Sequence, residues 1–184
     1  MENFKITDRQ FAKAMAECRK VFVDKLGDYG PSWRIMRPEA ITDQIFIKAK
    51  RIRKLQVTGE SAVGEGILPE FIAIVNYGII GILQLRNGYV DRKDWNKDET
   101  IARYDEVARE ATELMKKKNR DYDEAWRDMR ILSYVDFILT KIERTKEIED
   151  NCGVTKVSEG IDSNYLDMIN YSVFGIIKLT DCQQ

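Results

Sequence analysis

Two stretches of this chain, roughly residues 10–85 and 103–179, are copies of one another, and that duplication restricts the fold more than any other feature. The alignment is anchored by Asp28-Tyr29 with Asp121-Tyr122, Trp33-Arg34 with Trp126-Arg127, and Lys48 and Arg51 with Lys141 and Arg144, all 93 residues apart. One extra residue in a loop of the second copy makes the offset 94 for Glu65 with Glu159, Asn76-Tyr77 with Asn170-Tyr171, and Gly81 with Gly175. The result is 22 identities over 72 aligned positions, well above chance for unrelated segments. Whatever one copy folds into, the other folds into too, and the two are expected to pack about a pseudo-twofold axis.

Each copy reads as three helices. The first, roughly 7–26 and 100–119, carries apolar residues at helical spacing: Phe11, Met15, Cys18 and Phe22, then Tyr104, Ala108, Ala111 and Met115. Thr7 or Asp8, and Asp98 or Thr100, are suited to cap their starts. The second, roughly 39–56 and 132–149, follows a polar connection, with Pro38 fitting its first turn. The third, roughly 67–86 and 161–180, is apolar on almost every side and is predicted to lie at the centre, where Gly81 and Gly175 let another helix approach closely. Residues 67–85 are long enough to span a membrane, but Pro69, Glu70 and Asn76, with Asp162, Asp167 and Lys178 in the matching segment, argue against it. The expectation is an all-α protein in which repeats 1–90 and 91–184 form one pseudo-twofold helical bundle, with a further homodimer open.

Thirty basic and 31 acidic residues leave a net charge of −1, which supplies no global positive field and disfavours nucleic-acid coating. The basic run Lys48–Lys54 has no match in the second copy and ranks last as a nucleic-acid signal. Three unpatterned cysteines and no secretory leader in the first ten residues suit a reducing cytoplasm. There is no histidine, so carboxylates, Lys, Arg, Tyr or Cys carry any chemistry.

Three sets of residues are candidates. Asp28, Tyr29, Trp33, Arg34 and Arg37, echoed by Asp121, Tyr122, Trp126, Arg127 and Arg130, lie in the connections, where aromatic faces can stack a planar group and an arginine can grip an anion bidentately. Equally, they can close the ends of a helix bundle. Lys48 with Arg51, and Lys141 with Arg144, share one face of the second helix, and the pair persists while the charges around it change, as a phosphate site would require. The third set is Glu159, Asp167 and Asn170, opposite Glu65, Ala73 and Asn76. Asp167 and Asn170, three apart on one helical face, can point at one ion or at one Lys or Arg; oxygen-only ligands favour Mg2+ or Mn2+, and Asn76 and Asn170 can instead cross-link helices. No catalytic residue is singled out.

The order Lys118-Asn119-Arg120-Asp121-Tyr122, then Lys141 with Arg144, then Glu159, Asp167 and Asn170-Tyr171, resembles a bacterial and phage family called nucleotide-modification-associated domain 1. The first copy keeps Asp28-Tyr29-Gly30, Lys48, Arg51, Glu65 and Asn76-Tyr77. More distantly the chain resembles the all-α nucleotide pyrophosphatases of the MazG and dimeric dUTPase type, which hold Mg2+ with acidic clusters on two helices. Here Lys141 and Arg144 replace the glutamates of the partner helix, so phosphate binding carries over better than metal-dependent hydrolysis. The resemblance implies a nucleotide or other phosphorylated small molecule as partner, and the pyrophosphatase likeness would add Mg2+ at Glu159 and Asp167; side by side, the copies place the expected site on the second, with a non-catalytic helical scaffold as the alternative. In that alternative Asp167 pairs with Arg144.

Overall fold

The computed structural model describes residues 2–59 and 66–181, with side chains from residue 5 onward. Among them are six α-helices and no strand: α1 (Glu2–Tyr29), α2 (Pro38–Thr58), α3 (Leu68–Asn87), α4 (Lys97–Tyr122), α5 (Ile131–Asp150) and α6 (Ile161–Asp181). Single 3-10 turns, Ser32–Ile35 and Ala125–Asp128, interrupt the connections that follow α1 and α4.

Helix starts depart from expectation. α1 begins at Glu2, so Thr7 lies inside it, buried and hydrogen-bonded to Glu124 Oε1 of the second repeat. α4 is capped by Asn96, whose Oδ1 accepts from the Glu99 amide at 2.9 Å, rather than by Asp98 or Thr100. Asn96 can do this because it precedes the helix in extended conformation, which turns its carbonyl oxygen toward the unpaired amides. Pro38 does occupy the first turn of α2.

α3 and α6 form the central pair, lying between the α1–α4 pair and the α2–α5 pair. Although α3 is apolar and long enough to cross a membrane, two-thirds of its most apolar window (67%) is buried inside the protein. The glycines explain the close approach. A Cβ at Gly81 would lie 2.7 Å from Tyr165 Cζ, and one at Gly175 would lie 2.9 Å from Phe71 Cζ. Gly81 corresponds to Gly175 and Phe71 to Tyr165, so this is one contact made twice, an aromatic ring of each central helix seated on a glycine of the other. That reciprocity is what a pseudo-twofold axis requires. The core around it is rich in fully buried isoleucine, including Ile41, Ile45, Ile74, Ile138 and Ile176, each contributing about 1.5–3 kcal/mol over an exposed side chain.

Candidate functional site

The Trp-Arg elements hold the connections in place. Arg34 is buried, its Nε and Nη2 donating to both Asp94 oxygens at 2.8 and 3.0 Å and its Nη1 to Gly88 O at 2.6 Å and to Gln84. The Trp95 ring centroid lies 4.2 Å from the guanidinium. The linker between repeats is thereby clasped onto the first repeat. Arg127 is used differently, by Glu124 Oε2 at 2.6 Å, Thr7 and Gln10, the last two on α1. Gln84 Nε2 donates to the carbonyls of Trp33, Arg34 and Met36, and at the matching position Lys178 Nζ donates to those of Arg127 and Met129. Each turn's carbonyls are thus satisfied from the adjoining third helix, by an amide in one repeat and an ammonium in the other. Trp126 is also internal, stacked on Phe174 with centroids 4.5 Å apart and planes at 9°. Its face is covered by protein, and Arg127 is committed to neighbouring side chains.

The second repeat gathers Lys118, Lys141 and Asp167. Buried Asp167 accepts from Lys141 Nζ at 2.6 Å and from Lys118 Nζ, rather than from Arg144. Burial pulls the Lys118 ammonium down, but the bond to Asp167 and the charges of Asp167, Tyr171 and Glu159 together outweigh it and hold the group above the ordinary lysine range. Half-buried Tyr171 stands beside this cluster, its phenol pushed up by burial and then by the Asp167 charge, with Lys118, Arg144 and Tyr122 near enough to act on it. Arg144 and Tyr122 are exposed, the latter 69%. Glu159, exposed in the loop before α6, acts on Lys118 through charge alone. Asp121 is exposed and makes no hydrogen bond or ion pair among the described residues. Lys118, Lys141, Arg144, Glu159 and Asp167 are therefore neighbours, while Asp121 and Trp126 are not part of the group.

The first repeat differs where the second is filled. Lys48 Nζ lies 3.2 Å from Glu70 Oε2, and Arg51 bonds Glu70 Oε1, so the conserved-spacing basic pair meets an acid one turn nearer the start of the central helix. Between the end of α1, the 3-10 turn and the start of α3 lies a cavity of about 630 Å3. Phe22, Leu26, Trp33, Met36, Ile72 and Ile80 wall it, with Lys25, Tyr29, Asn76 and Tyr77 adding polar groups and Ala73 on its α3 side. The volume falls within the range of small-ligand sites. Lys25, the counterpart of Lys118, is exposed and makes no ion pair among the described residues. Ala73 stands where the second repeat has Asp167, and Ile80 where it has Phe174. Asp28 and Tyr29 are exposed at the end of α1, with Tyr29 close enough to Tyr77 for its phenol to be raised, first by burial and then by that neighbour.

The paired asparagines are also unequal. Asn76 is buried, its Nδ2 donating to Cys18 O at 3.1 Å and its Oδ1 accepting from Tyr104 OH at 2.8 Å. Asn170 is equally buried, and neither amide atom has a hydrogen-bond partner. The residue matching Tyr104 is Phe11, which has no hydroxyl to give. Sequence reasoning missed this cavity. The signal was present in Ala73 and Ile80 opposite Asp167 and Phe174, two small-for-large differences one face of a helix apart, but their consequence depends on α1 and the turn closing over them.

The described residues do not suit a resting Mg2+ site. No three carboxylates or thiols converge among them, Glu159 and Asp167 make no joint contact, and two ammonium groups already neutralise Asp167. Glu65 lies outside the described residues.

No curated protein and no solved structure matches the chain. A family profile described as nucleotide modification associated domain 1 matches it twice, over residues 25–85 and 118–179, which is the same division the internal repeat and the two sets of helices give. The chain belongs to the nucleotide modification associated domain 1 family and carries that domain in tandem.

Proposed function

We propose that the protein binds a mononucleotide, or a phosphorylated small molecule of similar shape, in the cavity of the first repeat. The observation that carries this reading is the cavity at Lys25, where the acid that occupies its counterpart has been replaced by Ala73. Apolar walls at Phe22, Ile72 and Ile80 suit a base. The Tyr29 and Tyr77 hydroxyls suit its polar edge or the sugar, and the Lys25 ammonium suits the phosphate. The family's association with modified nucleotides agrees with such a ligand, and a cytoplasmic nucleotide pool would supply it. Pyrophosphate hydrolysis would need Mg2+ ligands that the described residues do not gather, so the reading stops at binding.

Calorimetry with a panel of 5′-nucleoside monophosphates tests it. Wild type should bind at least one of them, and Lys25→Met, which disturbs no ion pair among the described residues, should bind it at least tenfold more weakly. Absence of binding across the panel refutes the reading. Release of pyrophosphate from triphosphates with Mg2+ would instead establish turnover. The scaffold reading is favoured by one observation, that Glu70 and Asp167 each join cations across helices. On that reading no monophosphate of the panel binds, and Asp167→Asn only lowers the melting temperature.

A further inference from the structure

The two repeats differ where their central helices face the end of the first helix. In the first repeat that place is a cavity, bordered by Lys25, Ala73, Asn76 and Ile80. In the second, the equivalent residues are Lys118, Asp167, Asn170 and Phe174. Asp167 reaches Lys118 and Lys141, and the Phe174 ring lies flat against Trp126, the counterpart of Trp33. Thus one repeat has a lysine beside empty volume, and the other has the same lysine neutralised by an acid and the same indole covered by a planar ring.

We propose that Asp167 and Phe174 occupy, inside the second repeat, the anion and ring positions that a ligand takes in the first. The second repeat is then a self-ligated copy, and its two side chains describe the ligand class. That ligand has a planar ring at one end and a compact anion at the other. Asp167 and Phe174 are seven residues apart, two helical turns, so the two ends are spread along α6 over a rise of about 10.5 Å. A single carboxylate satisfies Lys118 and Lys141 together. The matching ligand group in the first repeat meets Lys25 while Lys48 is already engaged by Glu70, which suits a monophosphate and not a triphosphate. This inference rests on the binding reading given above.

Exchanging the residues tests it. At these two positions, Asp167→Ala with Phe174→Ile gives the second repeat the side chains of the first, and Ala73→Asp with Ile80→Phe does the reverse. Calorimetric stoichiometry with the 5′-nucleoside monophosphate that wild type binds is the readout. Wild type should bind one equivalent, the opened variant two, and the closed variant none or at least tenfold more weakly. The closed variant should also melt higher than wild type, because it fills a cavity and pairs Lys25. One equivalent for a folded opened variant, or unchanged affinity for a folded closed variant, overturns the inference and leaves the binding reading standing. Failure of wild type to bind any monophosphate overturns the binding reading itself. If the opened variant does not fold, the closed variant alone decides.

Discussion

Gly81→Ala is the sharpest probe of the central packing. The added methyl would lie 2.7, 2.9 and 3.0 Å from three atoms of the Tyr165 ring. The ring has no room to retreat, because Tyr165 is fully buried and its hydroxyl is tied at 2.7 Å to Thr42, which in turn donates to Glu149 at 2.6 Å. Overpacking of this kind costs about 1–3 kcal/mol. Against it stands the gain from replacing glycine by alanine inside a helix, about 0.8–1 kcal/mol. With the ring pinned the cost lies at the upper end of that range, about 2–3 kcal/mol, so the clash wins, leaving a net loss of roughly 1–2 kcal/mol and a melting point lower by about 2–8 °C for a chain of this size. Gly175→Ala should behave the same way and somewhat more mildly, since its contacts with Phe71 begin at 2.9 Å. Urea and thermal unfolding followed by circular dichroism give both values. If either substitution is neutral or stabilising, helix propensity has won, and the rings of the two central helices do not sit on those glycines.

Three further outcomes follow from particular contacts. Phe11→Tyr should stabilise the protein by a few tenths to about 1 kcal/mol, by giving Asn170 the hydroxyl that Tyr104 gives Asn76; a loss in urea unfolding would show that Asn170 is not placed as its counterpart is. Arg34→Met should cost about 2–3 kcal/mol, since it leaves the Gln84 amide oxygen and the Gly88 carbonyl unpaired, and the same denaturation assay reads it; a loss under 0.5 kcal/mol would mean the linker is not clasped there. Burial raises the Glu149 carboxyl above its ordinary 4.5, more than the Thr42 bond lowers it. A raised carboxyl favours the proton-bound form in the fold, so its stabilising contribution is full below 4.5 and disappears as pH rises through the higher folded value. Glu149→Gln should therefore melt higher relative to wild type at pH 7 than at pH 4, and an equal difference at both pH values would contradict this.

The helices were legible because their apolar residues recur with the helical period, and the repeat doubled the signal: a stretch such as Phe71–Leu85 reads as central, and Gly81 with Gly175 reads as a close approach. The reciprocal seating of Phe71 and Tyr165 followed only once both central helices were placed. What the pattern could not show is which side chains meet across helices. Lys118 was visible as part of a motif, yet its partnership with Asp167 depends on α4 and α6 lying side by side. Trp126 and Arg127 looked like ligand contacts because aromatic and guanidinium groups serve ligands and helix ends alike, and the burial of Trp126 against Phe174 and the bonds of Arg127 to Thr7 and Gln10 are set by tertiary packing. The expected emphasis on the second repeat followed its fuller set of polar residues. In the fold Asp167 satisfies Lys118 and Lys141, and the open volume lies in the repeat that lacks that acid.

The chain's three tryptophans make the central claim directly measurable, since Trp33 walls the first-repeat cavity, Trp126 holds the equivalent position under Phe174, and Trp95 lies on the linker. Titrating nitrogen-15-labelled protein with a 5′-nucleoside monophosphate and following the three indole N–H resonances reports where the ligand enters. The account predicts a saturable shift of the Trp33 signal with the Trp126 signal unmoved. A shift of Trp126 with Trp33 unmoved, or no shift of either, would contradict it.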